Sequence, residues 1–279
     1  MEDVSLQTGD ARFHALSWPG VGTPIVLLHG AGGNAYWWAQ LAESLEGRHI
    51  IALDLPGHGE SSATDNWELT HIAEMVFTAA ASRISGRIVW GGHSWGGKIA
   101  ALIAAMHPDR AQALLLVDPS PASAISFPDG SVERTFGAEI GPWPTLAAAE
   151  AAVRGLPQYR NWNSHLARAF GRGLRQRQDS SWLARVSRPT LQSVCVAAVT
   201  EDQAATIRRV RCPTLLLVAE ASLSWQAATN FVTLEHATRV TIAGNHWIHT
   251  DNPGACQPVV REWLDKVLAE SRSASQHGI

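Results

Sequence analysis

Cysteine is scarce in this 279-residue chain: only Cys195, Cys212 and Cys256 occur. An odd number without metal-type spacing excludes a disulfide scaffold and a cysteine-ligated metal, and predicts reduced core thiols in a cytoplasmic protein. Long apolar runs are missing too. No stretch approaches the roughly 20 residues that cross a bilayer, and Met1-Glu2-Asp3-Val4-Ser5 lacks the basic and apolar regions of a secretion signal. A soluble protein with no membrane partner is expected. Excess positive charge is also absent. Twenty-two Lys and Arg against 25 Asp and Glu leave a net charge of −3, so nucleic acid is not an expected partner. What is present is 46% hydrophobic and 17% charged residues, the balance of an ordered globular chain. The length suits one large domain, or a core domain carrying a lid.

Short apolar runs alternate with longer helical stretches, the pattern of an α/β protein with a mainly parallel sheet flanked by helices. Strands are expected at 11–18, 24–29, 49–54, 87–90, 113–118, 213–218 and 239–242. Helices are expected near 36–46, 68–84, 95–106 and 255–270, the third ended by Pro108. The interval 119–212 breaks the alternation. A structureless loop of that length is implausible in a compact domain, so it reads as a mostly helical cap inserted between core segments 1–118 and 213–270. Residues 271–279 read as a flexible tail. No internal repeat or low-complexity segment is visible.

The strongest chemical signal is Gly92-His93-Ser94-Trp95-Gly96-Gly97. A bare Gly-x-Ser-x-Gly would arise by chance about one time in ten in such a chain, but this one lies between an expected strand and an expected helix. A nucleophile elbow requires that placement: a sharp turn lifts the serine oxygen out of the sheet, and flanking glycines let neighbouring backbone approach. The helix N-terminus then faces the reacting centre and favours developing negative charge. The plain alternative is a glycine-rich turn with an idle serine.

With three further segments, the chain resembles the α/β-hydrolase family of serine hydrolases with a helical cap over nearly its whole length. Leu28-His29-Gly30-Ala31-Gly32-Gly33 is similar to the family's oxyanion loop. Asp54-Leu55-Pro56-Gly57-His58-Gly59 is similar to its turn after the next strand, and Gly244-Asn245-His246-Trp247 to the loop that presents the catalytic histidine. The resemblance implies Ser94 as nucleophile, His246 as base, and the backbone N–H groups of Ala31 and Trp95 as oxyanion donors. His249 is the nearby competitor for the base. His246 and His249 also spell His-x-x-His, yet no third ligand accompanies them, so no metal is expected. Asp54 and His58 read as structural residues of a tight turn, Lys98 as a pairing side chain, and His93 as a packed one.

The acid departs from the family pattern. The segment after the strand ending at Val218 reads Ala219-Glu220-Ala221-Ser222-Leu223-Ser224, without Asp. Asp118, at the end of the strand after the elbow helix, is the preferred acid. Glu220 and no acid at all stay open. The expected reaction is cleavage of an ester, lactone or thioester through an acyl-enzyme on Ser94, without cofactor. Acyl transfer, carbon–carbon bond hydrolysis, cyclisation and non-catalytic binding of a small ligand are the alternatives. The partner is a small acyl substrate. Residues 151–211 hold eleven arginines against Asp179, Glu201 and Asp202, which suggests an anionic substrate; a solvated helical face is the other reading. Phe136, Trp143, Tyr159, Trp162, Phe170 and Trp182 supply candidates for an apolar pocket over Ser94. Oligomeric state is not legible.

Overall fold

The computed structural model describes residues 1–126, 129–223, 234 and 237–276. Ten strands are present among them: β1 Glu2–Thr8, β2 Ala11–Trp18, β3 Val21–Leu28, β4 Arg48–Leu53, β5 Ile88–His93, β6 Ala111–Val117, β7 Leu174–Gln176, β8 Trp182–Ala184, β9 Thr214–Ala219 and β10 Ala237–Ile242. The helices are α1 Ala39–Ser44, α2 Leu69–Ala81, α3 Ser94–Met106, α4 Ser131–Ile140, α5 Leu146–Val153, α6 Ser164–Arg172, α7 Arg188–Thr200, α8 Ala204–Ile207, α9 Ile248–Asp251 and α10 Pro253–Gln276.

Eight strands form one sheet in the order β1-β2-β4-β3-β5-β6-β9-β10. β1 pairs with β2 and β2 with β4 antiparallel; the remaining pairs are parallel. The apolar runs are buried on both faces, as a helix-covered parallel sheet requires. Ile25, Leu27, Val89, Leu115 and Leu217 enter one half of the core with Leu41 of α1 and Val260 and Leu264 of α10. Their neighbours Val26, Leu28, Trp90, Leu116 and Leu216 enter the other half, with Ile72 and Val76 of α2 and Ile99 and Leu102 of α3. The strand period of two thus divides a continuous hydrophobic run between two layers.

The chain order turns back at β3, which has β4 on one side and β5 on the other. A crevice opens beyond the strand ends at such a reversal. Register levels the ends: Leu28 pairs with Gly92, and His93 with Val117. The loop after Leu28, the residue after His93 and the residue after Val117 therefore share one rim.

The interval 119–212 holds α4 to α8 and the short antiparallel pair β7–β8. That pair is too short, at three residues a strand, to show alternation in sequence. β1 was also not expected. Its segment Glu-Asp-Val-Ser-Leu-Gln-Thr buries only Leu6 fully, because it lies at the sheet edge. The tail expected from residue 271 is instead helical to Gln276. Ser271 continues α10 by donating to the Val267 carbonyl, and it accepts from Gln112 of β6. Residues 277–279 lie outside the described residues. No helix of the described residues is long and apolar enough to cross a membrane.

Candidate active site

Ser94 follows β5 directly and opens α3, at φ 52°. The left-handed region costs a serine about 1–3 kcal/mol, and the surroundings enforce it through close backbone packing. A Cβ at Gly92 would run into the backbone of Gly96, and one at Gly96 into the carbonyls of Leu28 and His29. The glycines of the motif thus let strand, turn and helix pack at a separation that excludes side chains. The Ser94 carbonyl is held by the N–H of Ser120, at 2.9 Å.

Three side chains meet at this rim. Ser94 Oγ–H donates to His246 Nε2 at 2.8 Å, and His246 Nδ1–H donates to Asp118 Oδ2 at 2.6 Å. Asp118 lies at the end of β6, fully buried, with φ 41°. It also accepts from the N–H of Ala219, at 3.0 Å to Oδ1, and from Ser222 Oγ, at 2.7 Å to Oδ2. The strand end that lacks an aspartate therefore supplies donors to a carboxylate on the neighbouring strand. Glu220 sits on the same turn but is exposed.

Ala31 and Trp95 both line a cavity of about 240 Å³ with Ser94 and His246; Ser120, Phe136, Ala198 and Trp247 complete much of its wall. Phe136 is on α4 and Ala198 on α7, so the interval 119–212 forms one side of the cavity. Trp95 is both wall and core, being almost fully buried.

The Ala31 loop is fixed by His29 and by His58, the second read from sequence as structural. His58 Nε2 accepts from the N–H of Gly32 at 3.1 Å, while its Nδ1–H donates to the Pro56 carbonyl. His29 Nδ1–H donates to the Gly30 carbonyl, and its Nε2 accepts from the N–H of Leu55. Both arrangements need neutral rings, and burial supplies that condition, holding His58 down at about 3 and His29 below its ordinary value. Asp54 accepts from the N–H groups of Ala35 and Glu60 and from His14 Nδ1–H.

His93 does more than pack. Its Nε2–H donates to the His246 carbonyl at 2.8 Å, and the two rings lie 4.8 Å apart. Burial, then the nearby His249 and His246, hold His93 well below its ordinary value and keep it neutral. His249 is buried against His93 and Trp38. Lys98 donates from its buried ammonium to the carbonyls of Ala198 and Glu201, at 3.0 and 2.6 Å, joining α3 to the end of α7. Burial lowers it to about 8.

Sequence reasoning missed Asp251. Its carboxylate accepts from the N–H of Asn245, next to His246, and receives a two-point contact from Arg160 Nε and Nη2 at 3.0 and 2.7 Å. The partners are 91 positions apart, so no local pattern announces the pair.

Comparison with known proteins agrees with this architecture. The family model described as alpha/beta hydrolase fold matches residues 23–142. E-2-(acetamidomethylene)succinate hydrolase superposes with a TM-score of 0.81 at 19% identity, covering 95% of this chain and 99% of that one. The chain has the α/β-hydrolase fold. Among curated proteins, Lipase 1 of Psychrobacter immobilis is 34% identical over 124 residues, which are 42% of this chain and 38% of the lipase. Pimeloyl-[acyl-carrier protein] methyl ester esterase of Vibrio campbellii is 38% identical over 110 residues, 39% of this chain and 42% of the esterase. The matches thus span about two fifths of those relatives.

Proposed function

We propose that this chain is a serine hydrolase that cleaves a carboxylic ester, lactone or thioester through an acyl-enzyme on Ser94. The observation that carries the reading is the hydrogen-bonded series Ser94–His246–Asp118 opening on an apolar cavity. The partial likeness to an esterase and a lipase supports the ester as substrate class.

In the first half-reaction, Ser94 Oγ attacks the carbonyl carbon and passes its proton to His246 Nε2. The carbonyl oxygen becomes an oxyanion, facing the backbone N–H groups assigned to Ala31 and Trp95. Each such donor is worth about 3–4 kcal/mol. The tetrahedral species collapses, the carbon–oxygen or carbon–sulfur bond to the leaving group breaks, and the leaving group takes the proton from His246. Water then repeats the sequence on the acyl-serine, releasing the acid. Asp118 holds the proton on Nδ1 so that Nε2 faces Ser94, and its charge favours the imidazolium that forms. These steps use no cofactor.

In this reading, residues 1–118 with 213–270 form the core and 119–212 the cap. The substrate is a small acyl compound held under Phe136 and Trp247. None of the eleven arginines of residues 151–211 lines the cavity, so any attraction of an anionic substrate acts from the surface. Exposure to a fluorophosphonate probe followed by intact-mass measurement tests the assignment. One added phosphonyl group, absent from Ser94→Ala, is expected. An unlabelled wild-type protein would favour a ligand-binding role.

A further inference from the structure

One carboxylate of the cap faces the interior without a charged partner. Glu139, on α4, accepts from Tyr159 Oη at 2.8 Å and from Gln158 Nε2. Each carboxylate oxygen offers about two acceptor positions, so both keep capacity for another donor. Among the described residues no cation acts on it, and burial pushes its carboxyl up to about 7.

Two small cavities, of about 30 and about 10 Å³, share Glu139, Gly32, Trp37 and Phe136 as walls. The smaller one is bounded by the loop Gly30-Ala31-Gly32-Gly33, His93, His249 and Gln158. It adjoins the Ser94 cavity, since Ala31, His93, Phe136 and Trp247 line both. His249 is 2% exposed, and among the described residues its buried Nδ1 has no hydrogen-bond partner. A buried ring nitrogen left this way carries a desolvation cost that a ligand or water can relieve. His249 contributes no charge, because burial and then His246 hold it at about 3. His93 is neutral for similar causes, and burial holds Tyr159 well above its ordinary value. Among the described residues, Glu139 is thus the group of these cavities that gains charge as pH rises through about 7, and that charge is negative.

We propose that Glu139 and His249 form an acyl-chain subsite that takes a small hydrogen-bond-donating head group, a hydroxyl or primary amine, while the reacting carbonyl lies at Ser94. The volumes suit a head of one or two heavy atoms, since a single water needs about 10–15 Å³. The apolar walls shared with the Ser94 cavity carry the intervening carbons. Above about pH 7 the ionised Glu139 disfavours an anionic head, in contrast to what the arginine count suggested. This subsite rests on the serine-hydrolase reading for its orientation.

The test compares p-nitrophenyl esters of matched acyl length that end in methyl, hydroxyl, amino or carboxylate. Wild-type protein should favour the hydroxyl and amino esters at least tenfold in kcat/KM over the methyl ester, with the carboxylate ester last. Glu139→Gln should cut the amino ester by about tenfold or more while leaving the methyl ester within about twofold. The hydroxyl and amino arms separate a neutral donor from a cation. A wild-type preference for methyl or carboxylate, or an unchanged order in Glu139→Gln, overturns the proposal. His249→Phe supplies a second variant, expected to lose the hydroxyl preference. Binding provides a readout independent of turnover. Short alkylamines should quench tryptophan fluorescence of Ser94→Ala protein, through Trp37 and Trp247, and adding Glu139→Gln should weaken them. If no ester is hydrolysed but amine binding depends on Glu139, the hydrolase reading fails and the subsite survives. Amine binding that is equal in both proteins removes the subsite.

Discussion

The strand ends beneath the cavity and the helices above it differ in how their side chains are held. Below, Asp118 is bound to the backbone N–H of Ala219, and the Ala31 loop is held through its backbone by the rings of His29 and His58. Above, the interval 119–212 packs apolar side chains such as Leu166, Ala169 and Val194 into the core clusters and adds polar contacts, among them Arg160 to Asp251 and Lys98 to the end of α7. Side-chain clamps of charge are individually removable. On the proposed reading, bond-making lies at the strand ends, where regular elements give a site precision, and recognition lies on the cavity wall that α4 and α7 form.

The largest effects should come from the strand ends. Ser94→Ala and His246→Ala should each lower kcat on a chromogenic ester by roughly 10⁵–10⁶-fold with an unchanged far-ultraviolet spectrum. Asp118→Asn should cost about 10³–10⁴-fold in kcat, because the amide stabilises the wrong imidazole tautomer. Glu220→Gln should stay within about twofold. A greater loss for Glu220→Gln than for Asp118→Asn would move the acid to the exposed turn.

Next come the clamps that tie the halves together. Asp251→Asn releases Arg160 and weakens the hold on the N–H of Asn245, so kcat should fall about tenfold with a smaller change in KM. Arg160→Met removes a mostly exposed guanidinium from a buried carboxylate that keeps the N–H of Asn245, a loss of about 1–2 kcal/mol readable as a lower urea midpoint. Were both variants to change KM alone, the clamp would belong to substrate binding and not to the histidine loop. Lys98→Met strands the carbonyls of Ala198 and Glu201 and should destabilise by about 1–3 kcal/mol.

The smallest effect concerns the network under the Ala31 loop. Burial opposes charge on His14, but the hydrogen bond and charge of Asp54 prevail and raise it to about 8. A value raised by folding contributes stability that is complete below about pH 6.5 and is lost as pH rises through about 8, an amount of at most about 1 kcal/mol after solvent screening. Urea unfolding at pH 6 and pH 9 should show that loss in wild type and a flatter dependence in His14→Gln.

The parts legible in sequence are those with short-range causes. The strands carrying the site are unbroken apolar runs such as Ile25 to Leu28 and Ala113 to Val117, and Gly92, Gly96 and Gly97 mark a turn of close backbone approach. Chain order placed His246 after the last strand. What was not legible depends on register between distant strands. Nothing local says that Ser222 donates to Asp118 across 104 positions, that His93 holds the His246 carbonyl, or that Glu139 faces the oxyanion-type loop. β1 was missed because an edge strand needs few apolar residues, and α10 extends past the expected end because Ser271 finds Gln112 in a separate element.

Rapid acid quench during turnover of a chromogenic ester, followed by peptide mass analysis, tests the covalent step directly. The peptide containing Ser94 should carry the added acyl mass in wild type, and the corresponding peptide should stay unmodified in Ser94→Ala. Steady turnover with the wild-type peptide unmodified at every time, and an ester still cleaved by Ser94→Ala, would contradict the assignment of Ser94 as nucleophile.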